Sequence, residues 1–239
     1  MQELKFKARA SSCHDILSLP RAVKDRDQLS EGAKTYVKKW LKEKQFGRRK
    51  KVKNKYLDKG NWNEEDGATL LALHLKKMLD TNSEYKENDY ICGTCDIIVD
   101  NEVYDIKNSW ELDTFPMYEK AIPDAKYETQ IQCYMDLYGL KKGHVAYVLT
   151  DCPFHILEQE LRWIEDEDEK QEKAINLIYT KENWKKAKES LFPNAKSINF
   201  IEIPREKRIK IFSFEYDVEK IELIKERVET ANKYIKEIL

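Results

Sequence analysis

The sequence has no apolar run long enough to span a bilayer, although 41% of its 239 residues are apolar. Its first ten residues, MQELKFKARA, lack the apolar segment of a signal peptide, so we expect a cytoplasmic protein with no membrane partner. Only seven glycines and six prolines are present, and they form no linker, repeat or low-complexity tract. These absences exclude membrane and fibrous classes and predict one domain over residues 1–239.

Cysteine is also sparse, with five residues and no spacing typical of a disulfide framework, which favours a reducing compartment. Cys92 and Cys95 form a CxxC, but a zinc site needs four ligands, and the sequence offers no second CxxC or nearby histidine pair. An iron–sulfur site would require a further cluster of cysteines that is equally absent. We therefore expect neither zinc nor an iron–sulfur cluster.

Charge is abundant but unevenly distributed. Residues 1–60 contain 18 Lys and Arg against 7 Asp and Glu, whereas residues 61–239 contain 25 against 37, so a basic region precedes an acidic one. The densest basic run, GRRKKVKNK, begins at Gly47 and is typical of a solvated face or of a nucleic-acid contact.

Apolar spacing predicts interleaved helices and strands. Helical spacing occurs from Ser30 to about 46, over about 63–79, over 126–140, across the acidic 158–179, and in a final amphipathic helix over 218–238. Strand patterns occur over 143–150, 197–203 and 208–216, and a hairpin is predicted around 93–107. The fold class is therefore α/β or α+β, with a mixed central sheet flanked by helices. The predicted parts are the basic region of about 1–60, a core of about 61–150 and C-terminal strands and helix over about 196–239.

The hairpin GTCDIIVDNEVYDIKNSW places charge inside strands that otherwise look buried. With Asp100 and Asn101 as a two-residue turn, Asp96 lies opposite Asp105, and Lys107 shares their face. A four-residue turn would pair Asp96 with Lys107 instead and keep the same three side chains on one face. Both alternatives predict a charged cluster on a largely buried sheet.

Opposed aspartates repel each other unless a cation lies between them. Lys107 alone is one such cation, which would make the cluster a structural ion pair, and a divalent metal ion is the other. A third acid, Glu64, lies at helical spacing on the same stripe as Ala68, Leu71, Leu75 and Met78, so it is predicted to point toward the sheet. Its neighbour Glu65 lies on a more polar face and is the alternative.

These residues resemble the core of the PD-(D/E)XK nuclease superfamily, which carries its site on a mixed sheet flanked by helices. Gln130 and Tyr134 resemble the Q-x-x-x-Y motif of its RecB-like and phage-exonuclease branches, and an i, i+4 pair shares one helix face. The segments ARASS and KGNWNEEDGA, together with the C-terminal REKRIKIFSFEYDVEKI, resemble the lambda-exonuclease/YqaJ-like viral recombinase family.

The resemblance implies a restriction-endonuclease-like core and roles for individual residues. Glu64, Asp96, Asp105 and the Ile106 carbonyl would hold Mg²⁺, or alternatively Mn²⁺, at one or two sites. Lys107 would orient and activate the attacking water, and Gln130 and Tyr134 would position groups in the same catalytic centre. Ser11, or alternatively Ser12, would bind a terminal 5′-phosphate. Further phosphate contacts are expected from Lys5, Lys7, Arg9, Arg48 and Arg49.

The function implied by the resemblance is Mg²⁺-dependent exonuclease digestion of linear double-stranded DNA, in the 5′-to-3′ direction, during phage-type recombination or DNA repair. Implied partners are duplex DNA ends, further copies of the chain in a trimer, and a single-strand annealing protein. The alternatives are a RecB-like or endonucleolytic enzyme on the same fold, a non-catalytic DNA-binding relative, and a structural protein whose hairpin charges form only an ion pair.

Overall fold

The computed structural model describes residues 4–50 and 54–239 and contains two sheets. The smaller sheet has the order β1-β3-β2, formed by Ala8–Arg9, Ile91–Gly93 and Lys86–Glu87. The larger sheet has the order β4-β5-β6-β7, formed by Ile97–Val99, Glu102–Asn108, Lys142–Val148 and Ile209–Glu215. Strands β5 and β6 are parallel, and the two outer pairs are antiparallel, so the predicted mixed α/β architecture is confirmed.

The helices pack around these sheets. They are α1 (Cys13–Leu17), α2 (Glu31–Phe46), α3 (Lys55–Trp62), α4 (Glu64–Leu75), α5 (Ala125–Tyr138), α6 (Phe154–Leu161), α7 (Glu167–Ala174), α8 (Lys181–Leu191) and α9 (Val218–Ile238). Within residues 4–50 and 54–239, no helix has the combination of length and apolar character that crossing a membrane requires.

The apolar core has three parts. The largest lies between one face of the larger sheet and helices α1, α2, α5 and α9. A second lies on the other face, where α4 contacts β5 and β6. The third is formed within and around α6, α7 and α8. Because side chains alternate along a strand, Val103 of β5 points into the first core, and Tyr104 points into the second.

The central hairpin has the two-residue turn predicted from sequence. Ile97, Ile98 and Val99 pair with Tyr104, Val103 and Glu102 respectively. Asp100 and Asn101 both have positive φ, 54° and 62°, as a tight turn compatible with strand twist requires. The register therefore leaves Asp96 opposite Asp105.

Several predicted boundaries are confirmed. The Ser30 side chain accepts a hydrogen bond from the Ala33 amide at the start of α2, and α5 ends where Gly139 adopts φ 69°. The C-terminal helix buries Ile221, Ile224, Val228, Ala231 and Ile235 as its spacing predicted. Its two terminal apolar residues, Val218 and Ile238, are instead exposed.

Other boundaries were wrong. The helix predicted over 63–79 ends at Leu75, because Lys76 takes a left-handed conformation, and Met78 is 98% exposed. Residues 197–203 form no strand, and the acidic segment is two helices, α6 and α7, separated by Arg162–Asp166. Helix α3 follows the basic run and was not predicted. Residues 51–53 of that run lie outside the described residues.

Candidate active site

One cavity of about 720 Å³ brings the predicted acids and the lysine together. Its lining includes all four predicted metal-binding residues, the lysine, the glutamine of the motif and one of the two serines: Glu64, Asp96, Asp105, Ile106, Lys107, Gln130 and Ser11. The hairpin supplies Asp96 and β5, α4 supplies Glu64 at its first position, and α5 supplies Gln130. Residues from distant parts of the sequence therefore line one space.

Asp105 lies at the centre of this group and is 1% exposed. Its Oδ1 accepts a hydrogen bond of 3.0 Å from Gln130 Nε2. Its Oδ2 forms an ion pair of 2.6 Å with Lys107 Nζ, but the angles are poor, and this buried oxygen has no hydrogen-bond donor. The Lys107 ammonium therefore offsets part of the cost of burying this oxygen, and no other group among the described residues donates a hydrogen bond to it.

Asp96 occupies the other side of the hairpin. Its Oδ2 accepts a hydrogen bond of 2.7 Å from the Ile106 amide. Burial, followed by the charge of Asp105, raises the pKa of Asp96 to about 7, while the Ile106 amide and the Lys107 ammonium act to lower it. The protein therefore supplies less positive charge near the two carboxylates than would neutralise them.

Lys107 retains its charge in these surroundings. Burial acts to lower its pKa, but the carboxylate of Asp105 outweighs that effect, and the pKa of Lys107 is raised overall. Its ammonium also lies 4.7 Å from the centre of the Tyr127 ring. Lys107 is therefore a protonated cation at neutral pH.

The Q-x-x-x-Y pair orients Asp105. Gln130 Nε2 lies within 3.0 Å of both Asp105 Oδ1 and the Tyr134 hydroxyl, which accepts the second hydrogen bond. Both side chains are buried on α5, and burial raises the pKa of Tyr134, so its hydroxyl remains neutral. These contacts fix the carboxylate plane rather than supply a titrating group.

The oxygen donors fit a hard divalent cation such as Mg²⁺ or Mn²⁺. Two observations support this fit. The Oδ2 of Asp105 accepts no hydrogen bond, and the carboxylate of Asp96 lies beside it. Glu64 is exposed at the cavity wall, and among the described residues no three His, Cys, Asp or Glu side chains already have the arrangement of a metal site. Glu65 is also exposed and does not line the cavity.

The predicted phosphate-binding residues separate into two groups. Arg9, Ser12 and Arg49 line a second cavity of about 550 Å³, which shares Leu57 and Asn61 with the first. Glu43 holds both arginines there, at 2.8 Å from Arg9 and 3.7 Å from Arg49. This basic cavity also contains Lys39 and Lys50, which the sequence analysis did not single out.

The remaining predicted phosphate contacts are not brought to either cavity. Lys5 and Lys7 form ion pairs of 2.8 Å with Asp89 and Glu87 on the smaller sheet. Arg48 is exposed and lines neither space.

Comparison with solved structures supports the predicted resemblance. Over 99% of this chain and 98% of the other, the structure is similar to a phage-related exonuclease from Haemophilus somnus 129PT, with a TM-score of 0.76 and 28% identity. It therefore has the fold of a phage-related exonuclease. The resemblance to the viral recombinase family of nucleases is confirmed.

An alkaline exonuclease from Laribacter hongkongensis shares this exonuclease fold, with a TM-score of 0.61, 12% identity and coverage of 97% and 92% of the two chains. The same enzyme in complex with dAMP gives a TM-score of 0.57 at 14% identity, with the same coverage. No protein-family model and no curated protein sequence matches the chain.

Several polar residues beside the site were missed by sequence reasoning. Lys59, Asn63, Asn108 and Thr150 lie buried or half-buried where α3, α4 and the end of β5 meet. Asn63 could have been noticed as a helix-capping type directly before Glu64. Nothing local in the sequence marks the other three.

Proposed function

We propose that this chain is a metal-dependent deoxyribonuclease that degrades linear double-stranded DNA from a 5′ end. The observation that carries the proposal is that buried Asp105 and half-buried Asp96 share the single ammonium of Lys107 in an open cavity. The exonuclease fold supports the same reaction class, and the two exonucleases it resembles suggest a DNA substrate. Mg²⁺ dependence, polarity and duplex preference are parts of the proposal.

The ligands proposed for Mg²⁺ or Mn²⁺ are Glu64, Asp96, Asp105 and the Ile106 carbonyl. The bound ion would supply polarisation of the scissile phosphate and activation of water. The chain contributes the surrounding electrostatics. Gln130 holds Asp105 in one orientation, so the carboxylate needs little reorganisation when charge develops nearby.

Lys107 contributes positive charge to the reacting phosphate. Because its pKa is raised, its ammonium remains protonated and can donate a hydrogen bond to the attacking water or to a phosphate oxygen. Asp105 fixes the position of that ammonium through the 2.6 Å ion pair. The proposed role is stabilisation of charge in the transition state, with Lys107 orienting the water.

The basic cavity is the proposed path for the substrate phosphates. Ser11 lines the acidic cavity, while Arg9, Ser12 and Arg49 line the adjoining basic one, so a backbone could pass from one to the other. Arginine and lysine contacts to phosphates contribute affinity independently of base sequence. We further propose that the chain forms a homo-oligomer, a trimer by resemblance, and acts with a single-strand annealing protein. Light scattering would measure the oligomeric state.

The test is digestion of linear duplex DNA labelled separately at its 5′ and 3′ ends, in Mg²⁺ or EDTA, beside a covalently closed circle. We expect the 5′ labels to be lost first, the circle to remain intact and EDTA to stop the reaction. Lys107→Ala should be inactive. Lys142→Ala is the matched control, because Lys142 forms an exposed ion pair with Glu102 at the opposite end of β5.

Cutting of the closed circle would favour the endonuclease alternative. Prior loss of the 3′ labels would reverse the proposed polarity. Cleavage by neither wild type nor Lys142→Ala in Mg²⁺ would contradict the proposed function and favour a structural ion pair in the hairpin.

A further inference from the structure

A network of polar side chains lies beside the acidic cavity. None of its members has a role in the proposed function. The network comprises Lys59 of α3, Asn63 between α3 and α4, Asn108 at the end of β5, and Thr150 just after β6, and we call it the corner network. Lys59, Asn63 and Thr150 are 1%, 3% and 2% exposed. Burying three such groups has a cost that only specific hydrogen bonds offset.

Asn63 directly precedes Glu64 but does not cap the helix that Glu64 begins. Its Nδ2 instead donates to Thr150 Oγ1 at 2.6 Å and to the Asp151 carbonyl at 2.7 Å. A side-chain cap would have stabilised the start of the helix. Instead of capping α4 locally, the side chain connects the start of α4 to the end of β6.

Thr150 extends this link to the strand that bears the catalytic lysine. Its hydroxyl donates to Asn108 Oδ1 at 3.1 Å, and Asn108 is the residue immediately after Lys107. Close packing reinforces the connection, because a Cβ on Gly67 would lie only 3.1 Å from Ile106 Cγ2. The first turn of α4 is thus held against β5 on both sides of Lys107.

Lys59 anchors the preceding turn. Its Nζ donates to the carbonyls of Ser109 at 2.9 Å and of Trp110 at 2.7 Å, the two residues that follow Asn108. The Asn63 amide in turn donates to the Lys59 carbonyl at 3.0 Å, so α3 and α4 meet through Lys59 and Asn63. The end of β5 is consequently fixed to both helices.

We propose that the corner network is a positioning device that sets Glu64 at the correct place relative to Asp105 and Lys107 for metal binding. Glu64 is exposed and has no other constraint among its side-chain contacts in the described residues, so its position depends on the helix start that Asn63 holds. This inference rests on the proposed function. Asn63 and Thr150 lie outside the cavity lining and act through Glu64 and Lys107, whereas Asn108 also lines the cavity.

The test measures Mn²⁺ binding to the full chain by isothermal titration calorimetry, alongside the Mg²⁺ concentration for half-maximal DNA digestion. Thr150→Val removes the bridging hydroxyl at nearly constant volume. Asn63→Ser removes the link but restores a side chain that can cap α4, so it separates positioning from helix stability. The matched control is Gln171→Leu in α7, which removes an equally buried amide that donates to the Lys196 carbonyl beyond α8.

We expect Thr150→Val and Asn63→Ser each to weaken Mn²⁺ binding about 10-fold, as loss of groups that orient metal ligands typically does, and to raise the Mg²⁺ requirement in parallel. Gln171→Leu should lower thermal stability and leave both metal measurements unchanged. Wild-type metal affinity in both Thr150→Val and Asn63→Ser would overturn the inference while leaving the proposed function intact. A wild-type protein that binds no Mn²⁺ and digests no DNA would overturn both.

Discussion

The start and the middle of β5 carry acidic side chains whose negative charges are neutralised to different degrees. At the start of the strand, Glu102 Oε2 lies 2.8 Å from His144 Nε2 and accepts a hydrogen bond of 3.1 Å from Tyr104. Its other oxygen lies 3.4 Å from Lys142 Nζ, and His144 Nδ1 lies 2.9 Å from Ser213 Oγ. Every polar atom of that cluster has a partner, as is usual for a structural network.

At the middle of the strand, Asp105 has a buried oxygen that accepts no hydrogen bond, and a second carboxylate, that of Asp96, lies across the hairpin from it. The pKa values show the same contrast. Partial burial acts to raise the pKa of Glu102, but His144, Tyr104 and Lys142 together lower it. Burial and the charge of Asp105 instead raise the pKa of Asp96 to about 7. The hairpin therefore contains one acid, Glu102, that stabilises the fold, and two, Asp96 and Asp105, whose proximity is consistent with a binding role.

The largest expected effect is a difference in the rate of DNA digestion between variants of Asp105 and of Glu102. Asp105→Asn removes a charge that the proposed metal ion requires, so DNA digestion should fall by at least about 100-fold at saturating Mg²⁺. Glu102→Gln should digest DNA at nearly the wild-type rate. The measurement is the initial rate of nucleotide release from linear duplex DNA, and equal losses in both variants would remove the functional distinction between the two acids.

The next effect concerns stability in EDTA. Because Asp96 is an acid with a raised folded-state pKa, its contribution to stability is lost as pH rises from about 4 to about 7. Asp96→Asn should therefore raise the free energy of unfolding at pH 8 by about 1 to 2 kcal/mol. Urea denaturation at pH 5 and pH 8 measures this, and the gain should be smaller at pH 5.

Addition of Mn²⁺ supplies the control for that prediction. Metal should raise the melting temperature of the wild type, since a ligand bound only by the folded state stabilises it, and should raise that of Asp96→Asn much less. A destabilised Asp96→Asn protein in EDTA would show that Asp96 belongs to a structural ion-pair network instead.

The smallest expected effect is a decrease in the free energy of unfolding, and it concerns Glu102 at the start of β5. Glu102→Gln should lower the free energy of unfolding at pH 7 by about 0.5 to 1 kcal/mol, because it weakens the contacts with His144 and Lys142. Since the folded-state pKa of Glu102 is lowered, this stability is present above the ordinary glutamate pKa and is lost as pH falls through the folded value. Urea denaturation from pH 3 to pH 7 measures the difference, and a constant deficit across that range would contradict an electrostatic cause.

Local patterns were sufficient for the elements that surround the proposed site. The sequence left the hairpin turn at two or four residues, but strand alternation placed Asp96, Asp105 and Lys107 on one face in either case. The structure has the two-residue turn. The i, i+4 spacing likewise placed Gln130 and Tyr134 together on α5. Residues 197–203 show the limit, because an alternating pattern there indicates a strand only if another strand pairs with it.

By itself, the sequence determined the hairpin, the motif spacing and the mixed α/β class, since each depends on interactions among residues close in the chain. Only the tertiary structure decided which basic residues reach the cavities, because Lys5 and Lys7 find acidic partners on the smaller sheet. The corner network also depends on the tertiary structure, because its members Lys59 and Thr150 lie about ninety residues apart in the chain. Long-range burial and hydrogen bonding have no local signal, and for that reason the surroundings of the acids emerged only from the fold.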